Sequence, residues 1–215
     1  MAKDKPHTIY RLADGNRVPG VTTFLGVLNK PALISWANKL GLQGIDSTKY
    51  VDNLADVGTL AHLMILALLK KEELDTSDYS QTQIDLATNS FKSYLKWAKP
   101  YKIEPILVET PLVSEEYRFG GTPDLLAMVD GASTLIDFKT SKAIYPEHHI
   151  QVAAYWVLIL EHGYGIDNTM ILRIGRDESE GFEVRPIKAI RTSWEIFTHC
   201  QAIYELQKQA KKEEK

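Results

Sequence analysis

The sequence predicts an α/β protein in which helices flank a mixed central sheet. Three observations carry that reading. As far as Pro100, apolar residues recur at helical spacing. From Pro100 to Phe138 they fall in short β-prone runs broken by glycines and charged turns. Beyond Phe138 come an apolar helix, two further strands and a closing amphipathic helix.

Each element has its own signals. Asp14-Gly15-Asn16, between short strand-like stretches, predicts a hairpin over Tyr10 to Val18. Thr22 or Thr23 is placed to cap a short helix through Leu28. Pro31 suits the first turn of a second helix that Gly41 ends, with Leu33, Trp36, Ala37 and Leu40 on one face. A long helix is expected over Val51 to Lys70, with Leu54, Val57, Ala61, Met64, Ile65 and Leu68 inward. Another is expected from Ser80 to Ala98, with Ile84, Phe91, Leu95 and Ala98 inward. Strands follow at Ile103 to Val113, Tyr117 to Phe119, Pro123 to Val129 and Thr134 to Phe138. Glu147 to His162 reads as a helix ended by Gly163, then Thr169 to Ile174 and Phe182 to Val184 as strands. Thr192 or Ser193 starts the final helix.

Composition bounds the function. The chain has 215 residues, 44% hydrophobic and 25% charged, enough for a real core. No run approaches the ~20 apolar residues that span a bilayer, and no membrane partner is expected. Met1 to Lys5 has no apolar stretch behind its charges, so no secretory signal is read and the cytoplasm is the expected location. The single cysteine, Cys200, excludes an internal disulfide and a four-cysteine iron–sulfur cluster; near Trp194, Phe197 and Tyr204 it reads as a small buried hydrophobe. Net charge is −3. That disfavours coating of duplex DNA through a broad basic face, but not an enzyme with one local positive groove.

The chemistry concentrates in Gly120-Gly121-Thr122-Pro123-Asp124 and Leu135-Ile136-Asp137-Phe138-Lys139-Thr140. Strand side chains alternate, so Asp137 and Lys139 share a face while Ile136 and Phe138 enter the core. A turn at Gly-Gly-Thr-Pro would bring Asp124 beside Asp137. Two carboxylates this close repel unless a cation lies between them, and hard oxygen ligands suit Mg²⁺ or Mn²⁺. The duller reading is a capping Asp124 and an edge-strand Asp137–Lys139 pair worth under ~1 kcal/mol; the apolar flanks argue instead for a central strand.

Pro123-Asp124 followed by Asp137-Phe138-Lys139 resembles the signature of the PD-(D/E)XK nuclease superfamily. Three outlying segments resemble its RecB-like exonuclease branch, which includes phage and mitochondrial single-strand DNA exonucleases. They are Gly58-Thr59-Leu60-Ala61-His62, Gln151-Val152-Ala153-Ala154-Tyr155, and Val21 to Leu25 followed by Lys30 to Trp36. The resemblance spans roughly Val21 to Tyr155. It implies a restriction-endonuclease-like sheet with a helical N-terminal elaboration, as one nuclease domain over 1–215. Within it, 1–100 is mainly helical, 101–190 holds the catalytic sheet and helix, and 191–215 the last helix. It implies Mg²⁺ or Mn²⁺ on His62, Asp124, Asp137 and the Phe138 carbonyl. Lys139 would position or deprotonate water or stabilise developing charge, and Gln151 and Tyr155 would hold the scissile nucleotide or the lysine. Glu109 is a candidate supporting acid. Trp36, Lys92, Lys96, Lys99 and Lys142 are candidate DNA contacts, although core packing suits Trp36 and a solvated face suits Lys92, Lys96 and Lys99. No Walker A loop accompanies the set.

The implied activity is DNA hydrolysis in replication, recombination or repair, in a bacterial or phage-infected cell. Exonuclease action on single strands or ends is preferred. A structure-specific endonuclease and a lapsed DNA-binding module are the rivals, and no protein partner is indicated. The segment before residue 48 would form an arch for a single strand, removable without loss of fold.

Overall fold

The computed structural model describes residues 8–28, 30–177 and 179–214. The chain opens with a hairpin of β1 (Tyr10–Arg11) and β2 (Arg17–Val18). Four helices follow, α1 (Val21–Leu25), α2 (Pro31–Leu42), α3 (Ser47–Lys70) and α4 (Gln81–Ala98). Then come β3 (Ile103–Val108), β4 (Leu112–Ser114), β5 (Phe119–Gly121), β6 (Leu125–Val129) and β7 (Ala132–Lys139). The chain closes with α5 (Pro146–Glu161), β8 (Asn168–Ile174), β9 (Phe182–Pro186) and α6 (Ile190–Glu213).

The central sheet has the order β3-β6-β7-β8-β9. Only β7 and β8 run parallel in it; the other neighbours are antiparallel. Parallel strands need a long crossover, and α5 supplies it. This is the expected mixed α/β class, a mixed sheet flanked by helices.

Strand alternation divides the core in two. Leu126, Leu135 and Ile171 face α1, α5 and α6, where Phe24, Tyr155, Leu158 and Phe197 are buried. Leu125, Ile136, Phe138 and Leu172 face α3 and α4, where Ile65, Tyr94 and Trp97 are buried. Cys200 lies in the first cluster, buried as expected.

Several boundaries differ from the sequence reading. Gly20, not Thr22 or Thr23, caps α1, which ends at Leu25 and buries Val21, Phe24 and Leu25. The run from Ile103 to Val113 divides at Glu109, whose φ of 47° breaks the strand. The buried stripe of α4 is Ala87, Ser90, Tyr94 and Trp97, while Leu95 is exposed. Large aromatics reach the sheet from a face one residue round from the aliphatic stripe, and Ser90 is satisfied by donating to the Gly175 carbonyl at 3.0 Å.

Helix α2 has no buried residue, so core packing of Trp36 is not what the structure shows. Its apolar spacing is helical, but Leu33 and Ile34 face outward, and Trp36 rests half-buried against Tyr50 with ring centroids 5.9 Å apart. By length and composition α3 could cross a membrane, with a mean hydropathy of 1.4, against the expectation that no run came close. Its apolar side chains have another destination, because Val57, Leu60, Ala61, Ile65 and Leu66 are buried in the fold.

Gly120 and Gly121 were expected in a turn but form β5, paired with Val113 and Leu112. A Cβ on Gly120 would come within 2.0 Å of the Tyr10 ring. One on Gly121 would lie 2.7 Å from Tyr155 Cε1 and 2.9 Å from Leu158 Cδ1. The glycines let two tyrosines lie against the strand. Gly121→Ala should therefore cost about 1–3 kcal/mol through overpacking, read as a lower midpoint in urea denaturation; an unchanged midpoint would refute this packing role.

Candidate active site

The site forms where β6 begins and β7 ends. Leu125 pairs with Ile136 across the two strands. One step further on, Asp124 and Asp137 stand opposite each other. There the Phe138 N–H donates to Asp124 Oδ2 at 2.8 Å.

His62 approaches from α3. Gly58, one turn earlier, lies so close to Thr140 that a Cβ would meet its Oγ1 at 2.7 Å. That close approach lowers α3 onto the end of β7. His62 then packs edge-on to Phe138, with its Nδ1 3.6 Å from Asp124 Oδ1.

Asp137 is 1% exposed. Lys139 Nζ pairs with its Oδ2 at 2.5 Å, and Oδ1 accepts no hydrogen bond. Burial, and then the charge of Asp124, push its pKa up to about 6 against the pull of Lys139. Asp124 is half-buried, but His62, Lys139 and the Phe138 N–H outweigh its desolvation and hold its pKa below the usual value. His62 moves the opposite way: burial opposes its charge, Asp124 overcomes that, and its pKa rises.

From α5, Gln151 donates to the Tyr155 hydroxyl at 2.8 Å. Burial and the charges of Asp137 and Asp124 raise the Tyr155 pKa well above that of an ordinary phenol. The hydroxyl thus keeps its own proton available to donate.

The structure therefore gathers His62, Asp124, Asp137, Phe138, Lys139, Gln151 and Tyr155 at one end of the sheet. Among the described residues, no three His, Cys, Asp or Glu side chains stand at metal-ligand spacing. His62 and Asp124 are drawn together, and Asp137 is drawn to Lys139. The donor set still fits a hard divalent cation: one oxygen of a buried carboxylate is left without a partner, and a second carboxylate adds to the repulsion.

The outlying candidates behave differently. Glu109 is half-exposed and points toward Lys70, 4.0 Å away, although its backbone N–H donates to the Asp124 carbonyl. Lys92, Lys96, Lys99 and Lys142 are exposed on α4 and the loop after β7. Sequence reasoning missed His148, Lys30 and Glu147, which share a cavity with Lys139 and Gln151. The spacing of His148, Gln151 and Tyr155, three and then four residues apart on a helix, was the available signal. Arg173 was also missed. It pairs with Lys139 in register, but its guanidinium is engaged by Glu183 and the Glu180 carbonyl.

No protein-family model matches the chain, and no curated protein matches it. Among solved structures it is similar to an alkaline exonuclease from Laribacter hongkongensis, with 18% identity and a TM-score of 0.35 over 74% of this chain and 91% of that one. A likeness so remote leaves the chemistry to be argued from the residues.

An unfolded chain ionises Asp137 near 4, the folded one near 6. The folded state thus holds the extra proton, and stability falls as pH rises through that window. Asp137→Asn removes this loss. With chelator present, it should be more stable than the parent at pH 7.5, by about 1–3 kcal/mol at most, seen as a higher Tm, and the gain should vanish near pH 4. Equal melting temperatures at pH 7.5 would refute the strain.

Proposed function

We propose that the protein is a divalent-metal-dependent nuclease that hydrolyses DNA phosphodiester bonds. The observation that carries this reading is Asp137, a buried carboxylate set opposite Asp124 whose Oδ2 meets only the Lys139 ammonium and whose Oδ1 accepts no hydrogen bond. A purely structural pair would satisfy both oxygens; Oδ1 is left open here, as on a ligand awaiting a cation. In this reading Asp124, Asp137, His62 and the Phe138 carbonyl hold Mg²⁺ or Mn²⁺. The metal would supply Lewis acidity, activating water and neutralising charge on the phosphoryl oxygens.

The chain's own groups do the positioning. The Phe138 N–H fixes the Asp124 carboxylate. Lys139 is 16% exposed, placed to hold the attacking water or the charge that builds on the phosphate. Gln151 orients Tyr155, whose remaining proton serves the substrate or the lysine.

Single strands or DNA ends are the proposed substrate, with exonuclease the mode. Helix α2 supports it: it follows Lys30 on the cavity beside Lys139 and carries a half-buried Trp36 on an otherwise open face. The whole segment before residue 48 is not separable as an arch, because α1 is part of the core.

A time course on 5′- and 3′-labelled single- and double-stranded DNA, with Mg²⁺, Mn²⁺ or chelator, tests the proposal. Cleavage should need the metal and fall by at least roughly a hundredfold in Asp137→Ala and Lys139→Ala. Metal-independent cutting, or variants that cut normally, would overturn it. Circular single-stranded DNA should stay whole; nicking would favour the endonuclease reading. Trp36→Ala should raise KM for single strands by roughly fivefold or more, since base stacking is worth ~1–3 kcal/mol, with little change in Tm.

A further inference from the structure

A cavity of about 660 Å³ lies beside Lys139, within the size range of small-ligand sites. Its two walls differ in chemistry. Leu25, Val27 and Leu28, at the end of α1 and after it, form an apolar side. Lys139, His148 and Gln151 form a polar one, and Lys30 and Glu147 tie the sides together through an ion pair of 2.6 Å.

His148 has a defined hydrogen-bonding role. It is the third residue of α5, and its Nδ1 accepts the Tyr145 N–H at 3.2 Å. A ring nitrogen that accepts carries no proton, so in the neutral ring the proton sits on Nε2, which is a donor. Burial and then the neighbouring Lys139 hold the His148 pKa down to about 4, so the ring is neutral at physiological pH. The cavity thus combines a neutral N–H donor and an ammonium on one side with aliphatic carbons on the other. A nucleotide unit has the same division: an anionic phosphodiester at one end, a flat base and sugar at the other.

We propose that this cavity is the subsite for the nucleotide adjoining the cleaved bond, its phosphodiester held by His148 and Lys139 and its base and sugar resting on Leu25, Val27 and Leu28. The identity of the reaction rests on the nuclease reading; the subsite itself rests on the cavity. Glu147 opposes its occupation by an anion. As the negative group on the polar side it neutralises Lys30 and repels phosphate, so a strand that enters must take Lys30 from it.

The test is binding of a fluorescently labelled ten-residue oligothymidylate to the full chain in chelator, followed by anisotropy. Glutamate at the third helical position can still cap the Tyr145 N–H, so His148→Glu should melt within a few degrees of the parent while replacing the donor by a charge. Its Kd should rise roughly tenfold to a hundredfold. Glu147→Gln should bind roughly two- to fivefold more tightly. Parental affinity in both variants would overturn the subsite. If His148→Glu melts early, Glu147→Gln decides alone, and unchanged or weaker binding overturns it. Binding sensitive to both changes, without metal-dependent cleavage, would sink the nuclease reading and leave the subsite standing. Cleavage with binding indifferent to both would do the reverse.

Discussion

A carboxylate with almost no access to water, placed against a second carboxylate, is the constraint on which the rest of this structure depends. Burying such a charge costs several kcal/mol unless partners compensate. Asp137 receives only part of that compensation, from Lys139, and its pKa rises accordingly. The neighbouring groups are arranged around the deficit. Phe138 holds Asp124 through a backbone N–H, His62 attends it from α3, and Gly58 lets that helix come close enough. A fold can keep a site so unfavourable because the sheet carrying it is packed on both faces.

The two cores also sort the chemistry by side. Ile136 and Phe138 commit β7 to the α3–α4 core, which leaves Asp137 and Lys139 on the α5 side, toward Gln151 and Tyr155. The parallel β7–β8 pairing demands a crossover, and that crossover is the helix carrying those two residues. On the same side Tyr10 and Tyr155 lie against Gly120 and Gly121, and the Tyr10 hydroxyl meets Thr122 Oγ1 at 2.9 Å. Two turns of packing therefore stiffen the stretch that leads into Asp124.

The N-terminal helices divide the same way between structure and surface. Phe24 of α1 is fully buried, edge-on to Phe197 and Tyr204, and anchors the start of the chain to α6. Helix α2, by contrast, stands open, and Lys30 between them reaches across to Glu147. The arrangement puts the end of α1 on one side of the cavity next to Lys139 and the start of α5 on the other, with α2 leading away from it after Lys30.

Much of this was readable in the residues alone. Apolar periodicity of 3.6 and of 2 is a local property, so helices, strands and the inward placement of Ile136 and Phe138 could be read from neighbours a few positions apart. The pairing of Asp124 with Asp137 was equally legible, because only one short hairpin separates them. What tertiary structure alone decided involves partners far apart in the chain. The half-burial of Trp36 depends on Tyr50 of the next helix. The glycines of β5 answer to Tyr10 and Tyr155, and the line of α4 that turns inward is chosen by the sheet beneath it. His148 and Lys30 gained meaning only when the end of α1, the linker after it and the start of α5 closed around one space, and a sequence carries no record of which surfaces will meet.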